Sequence, residues 1–133
     1  MNPTMSFQIL ASAAHSAPTE ADRTTVALAN DADALALPLE GVARIDLHFP
    51  HFTDGRAFSQ AYLLRRRRQF AGDIRATGDV LIDQLVQMQR TGFSSAVLKD
   101  GVDVADAQRQ FDRFEGFYQA DAVHTTPIFA LEP

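Results

Sequence analysis

Two groups of residues in this chain have the types and spacing for chemistry. His48, His51, Asp54, Gly55, Arg56 and Ser59 form one; Arg75, Thr77, Gly78, Asp79 and Asp83 form the other. In an Asp-Gly-Arg turn, glycine lets backbone approach a ligand and aspartate acts as base or anchor. Arginine grips an anion with two parallel bonds. The plain alternative is a helix-capping Asp, a turn Gly and a solvated Arg. Asp79 and Asp83, at i and i+4 on one helix face, repel each other and would share a metal or an arginine. Their plain alternative is acid placement at the positive start of a helix. Arg75, on the strand before them, is the natural counter-ion. His48 and His51 flank Pro50 in no standard ligand spacing, so no metal is expected. His15 and His124 fall in expected loops and carry no signal.

These residues need elements to bring them together. Val42–Phe49 alternates, with Ala43, Ile45, Leu47 and Phe49 on one side and Arg44, Asp46 and His48 on the other, which is a strand with one drier face. Thr25–Ala29, Asp73–Thr77 and Ser94–Leu98 read as further strands, and Phe7–Ala11 as a short one. Helices are expected from Thr53 or Asp54 to about Phe70, from Gly78–Asp79 to the Gly92 cap, and from Asp103–Asp106 to Tyr118. The alternation predicts an α/β fold: βαβ units in a small, mostly parallel sheet of about four to five strands with covering helices. Ligands of such sheets bind at the carboxyl ends of the strands, so the two clusters are expected to share one crevice. The expected organisation is a flexible or partly extended arm over 1–24, one domain over 25–118 and a tail over 119–133.

Composition narrows the function classes. The chain has 133 residues and no cysteine, which excludes disulfides, thiolate metal sites and a cysteine nucleophile. No apolar run is long enough to span a membrane. The N-terminus carries no Lys or Arg before Arg23, and a cytoplasmic protein is expected. Between Arg44 and Arg75 seven arginines face three acids, in a chain of net charge −5. That basic stretch suits an anionic ligand or an acidic protein partner. Nucleic acid is not expected, because consecutive arginines spread around a helix and few aromatics interleave them. Arg65 and Arg68 share a helical stripe with Ala57, Phe58, Ala61, Tyr62 and Leu64. They either lay their stems along the core or meet a partner subunit, and the partner contact is the expectation. Wide apolar arcs on two helices suggest a homodimer. No phosphate loop, dinucleotide fingerprint or nucleophile elbow is present, and no cofactor is expected.

The motifs F-P-x-F-x-D-G-R (Phe49–Arg56), S-x-A-x-x-L-R (Ser59–Arg65), G-x-x-R-A-x-G-D-V-L-x-D-Q (Gly72–Gln84) and R-x-G-F (Arg90–Phe93) resemble a bacterial family of unknown function, DUF934. His51 stands where that family usually has a basic residue, and Phe58 where it commonly has Tyr. Members are commonly described as probable sulfite-reduction proteins, encoded beside the haem subunit of sulfite reductase. The resemblance implies an accessory role in sulfite reduction, by contact with that haem subunit or by binding a small anion. Under the anion reading, Arg56 and Arg75 hold the anion while Asp54, Asp79 and Asp83 orient them. The rival is a small enzyme with Asp79 or Asp83 as general base, for which a solvated Asp83 would count against. A third reading makes both clusters structural.

Overall fold

In the computed structural model, which describes residues 7–19 and 24–124 with side chains as far as Gly116, five parallel strands form one sheet. They are β1 (Gln8–Leu10), β2 (Thr25–Leu28), β3 (Arg44–Phe49), β4 (Asp73–Gly78) and β5 (Ser95–Val97). Their order is β1-β5-β4-β3-β2, so the strand from the N-terminal arm closes the far edge beside β5. The helices are α1 (Arg56–Arg66), α2 (Leu85–Thr91) and α3 (Val104–His124). From β2 to β5 each strand neighbours the next, and right-handed crossovers in one direction put the helices on one face. Accordingly, α1 packs on α2, and α2 on α3.

Strand alternation separates the two faces. Ile45, Leu47 and Phe49 of β3, Ile74 and Ala76 of β4 and Ala96 of β5 are fully buried towards the helices. There Phe49 meets Phe58 and Phe93, with ring centroids 5.0 and 5.8 Å away. Phe7 stacks on Phe111 at 5.1 Å, which fixes α3 over β1. The opposite face is polar. Register sets Arg44 beside Asp73 and Asp46 beside Arg75, so charges alternate both along and across β3 and β4. Residues 11–19, which follow β1, lie over these charges as a strap. Arg44 donates to the Ser16 carbonyl (2.8 Å) and Arg75 to His15 (3.1 Å).

Several expected boundaries are corrected. The first helix ends at Arg66, short of Phe70, because Arg65 draws the following carbonyls inward. The next does not begin at Gly78–Asp79. A loop and a 3-10 turn (Ile82–Gln84) precede α2, so Asp79 and Asp83 do not share a helix face. Gly78 has φ +93°, and a Cβ there would strike the Phe49 carbonyl and the His48 ring. The last helix continues past Tyr118 to His124, taking in the start of the expected tail. The rest of the expected tail, 125–133, lies outside the described residues.

Candidate functional site

At the carboxyl edge of the sheet the loops are tied to one another by side chains. Asn30, after β2, donates to Asp54 Oδ2 (2.7 Å) in the loop after β3. Asp79, after β4, accepts the Phe52 N–H (2.8 Å) and the Lys99 ammonium (2.8 Å) from the loops after β3 and β5. Gln84 donates to the Phe52 carbonyl at 2.9 Å. Phe52 is thus held on both sides of its backbone, yet its ring is 46% exposed. Local chemistry explains the shape: Pro50 cannot continue the ladder, and Asp54 accepts the Arg56 N–H in a side-chain turn that starts α1.

The expected meeting of the clusters is partial. The Asp54 and Asp79 loops do come together through Phe52. Asp54 binds the Arg56 side chain (3.0 Å), and that arginine holds its carboxyl below the usual range, helped by the Arg56 N–H. Lys99, and then the Phe52 N–H, do the same for Asp79. Gly55 caps α1 without a side-chain bond, and Ser59 is exposed on the helix layer. Arg75 lies on the polar sheet face, paired with Asp73 (3.2 Å) and Ser95 (3.1 Å), away from Asp79. Thr77 donates to the Leu47 carbonyl, and Asp83 is exposed. Among the described residues no three His, Cys, Asp or Glu converge to hold a metal ion.

Arg65 and Arg68 are turned inward. The Arg65 guanidinium donates to the carbonyls of Phe70 (2.8 Å), Gly72 (2.6 Å) and Gly92 (2.8 Å), and burial lowers its pKa. Arg68 donates to the Ala34 carbonyl at 2.9 Å. The stem-burial alternative describes Arg65, whose guanidinium is taken up by three carbonyls; Arg68 makes one such bond.

A second polar site went unread in the sequence. Asp46 is 3% exposed and is forked by Arg44 at 2.8 and 3.1 Å. His15 takes the Arg75 N–H on Nδ1, which leaves its Nε2 as the protonated nitrogen, 3.8 Å from Asp46. Beside them a cavity of about 440 Å³ runs between the strap and the strands, lined by His15, Asp46, His48 and Thr77 and walled by Ala17, Pro18 and Ala27–Ala29. The Arg44–Asp46 spacing was the legible signal; nothing local pointed to His15.

That arrangement makes the strap pH-sensitive. Burial, and then the cations of Arg75 and Arg44, lower the His15 pKa against the opposing pull of Asp46. The unfolded imidazole titrates near 6.5 and the folded one lower. The His15 contribution is therefore intact above 6.5 and is lost as pH falls from there through the folded value. We expect proteolysis within residues 11–19 to quicken as the medium is acidified through this window. His15→Gln should remove that acceleration; an unchanged profile in the variant would assign the effect elsewhere.

The fold and edge define a parallel α/β domain with helices on one face and side-chain-tied loops at the strand ends. Residues 25–129 match the family described as "Bacterial protein of unknown function (DUF934)", and the chain belongs to it. No curated protein and no solved structure matches the chain. The family match starts at β2, after β1 and the strap. No helix among the described residues is long and apolar enough to cross a membrane.

Proposed function

We propose that this chain is an accessory protein of sulfite reduction that docks a partner protein on its strand-end edge, with Phe52 as the anchor. The sulfur context rests on the family resemblance, and the partner it points to is the haem subunit of sulfite reductase. The docking mode rests on one observation: a half-exposed aromatic ring whose backbone is clamped by Asp79 and Gln84. A fixed, solvent-facing aromatic beside charged groups is what a binding hot spot needs, since little entropy remains to be lost on contact.

Small-anion binding at this edge has less support, because Arg56 is already forked on Asp54 and Arg75 sits on another face. The rival reading, a small enzyme using Asp and Arg acid–base chemistry, also has less to work with. The carboxyl of Asp79 is held below its ordinary value, the wrong direction for a base near neutral pH, and Asp83 is solvated.

Co-purification with the haem subunit from the same organism, at low and moderate salt, tests the proposal. A stoichiometric complex is expected, and Phe52→Ala should weaken it by about tenfold or more. Because the ring is largely exposed, the variant should unfold within about 0.5 kcal/mol of the parent. No complex at either salt removes the sulfite-reductase partner. A complex indifferent to Phe52→Ala removes the anchor.

A further inference from the structure

From Gly55 to Gly72 the chain carries five arginines and no acid, although its net charge is −5. With Arg65 and Arg68 turned inward, the outward cations of this stretch are Arg56, Arg66 and Arg67. Arg66 lies over the Tyr62 ring, 5.2 Å from its centroid, and Tyr62 is 49% exposed. Next to that pair an apolar groove of about 390 Å³ runs between α1 and α2, lined by Phe58, Ser59, Tyr62, Leu63 and Thr91. Its floor is firm, since Phe58 is wedged against Phe49 and Phe93 in the core.

We infer that this groove is a docking site for an acidic amphipathic helix of another protein. The groove takes apolar side chains, as in helix-in-groove recognition, and Arg66 and Arg67 pair with flanking carboxylates. A second copy of this chain is the poorer occupant. A two-fold contact through α1 sets the same patch on itself and brings arginine against arginine, with no acid on the helix to relieve it. The site uses residues other than Phe52 and stands whether or not the strand-end edge docks a partner.

The test is an amide NMR titration of the full chain with a short synthetic helix bearing a leucine row flanked by glutamates. A matched peptide with lysine flanks is the control. Shifts confined to residues 58–67 and to Thr91, weakened by salt and absent with the lysine peptide, are the expected result. Arg66→Glu combined with Arg67→Glu should lower the affinity about tenfold, and both sites are exposed enough to leave the fold intact. Shifts on another face, no shifts, or equal response to the lysine peptide would overturn the assignment. So would a free-state dimer in which the α1 amides are already shielded.

Discussion

Arg65→Met is expected to destabilise the protein by roughly 3 kcal/mol or more, because charge-assisted bonds contribute about 1.5–3 kcal/mol each and this guanidinium makes three of them to backbone carbonyls. The carbonyls belong to Phe70, Gly72 and Gly92, so one side chain joins the end of α1, the entry to β4 and the cap of α2. Methionine fills much of the stem's volume and satisfies none of the three oxygens. Arg65→Lys should recover only part of the loss, since an ammonium cannot reach as widely as the planar fork. Urea unfolding measures the change, and the midpoint of thermal unfolding should fall by on the order of 10 °C. A loss below 1 kcal/mol, roughly the level of an exposed arginine, would show that the three bonds are replaced by water.

Asp46→Ala is the second large effect. Arg44 and Asp46 are a nearly buried pair, with side chains 19% and 4% exposed. Removing only the acid leaves the guanidinium uncompensated, which costs about 3–5 kcal/mol. Replacing both partners, as Arg44→Met with Asp46→Leu, should restore much of that, because no charge is then stranded. The double variant separates pairing from packing: a loss equal to that of Asp46→Ala alone would mean that the pair matters as an anchor for the strap at Ser16, not as a charge balance.

The alternation in Arg44–Phe49 made β3 legible, and with it the polar row of Arg44, Asp46 and His48. Gly92 marked the end of α2 correctly because its φ of +128° favours glycine. What could not be read were outcomes decided by distant partners. The Asp79 loop looks like a helix start in sequence, but its carboxylate is engaged by Phe52 and Lys99, twenty-seven and twenty residues away. The helical stripe placed Arg65 beside apolar residues but left open whether it met the core or a partner, and only the packing of three loops around it shows its task. His15 sits in a stretch of Ala, Ser and Pro with no periodicity, and acquires meaning from strands that follow it by thirty-one and sixty residues.

The position of β1 also fixes an order of assembly. Gln8 pairs with Ser95, so the first strand made waits for the last before it has a neighbour. Closing so long a loop costs about 4 kcal/mol of chain entropy, against a ladder only three residues long. We expect β2 to β5, which pair through shorter crossovers, to assemble first and β1 to join afterwards. During synthesis β1 would then find its neighbour only once β5 has emerged. With only three ladder pairs at the sheet edge, β1 is the element that we expect two chains to exchange at high concentration.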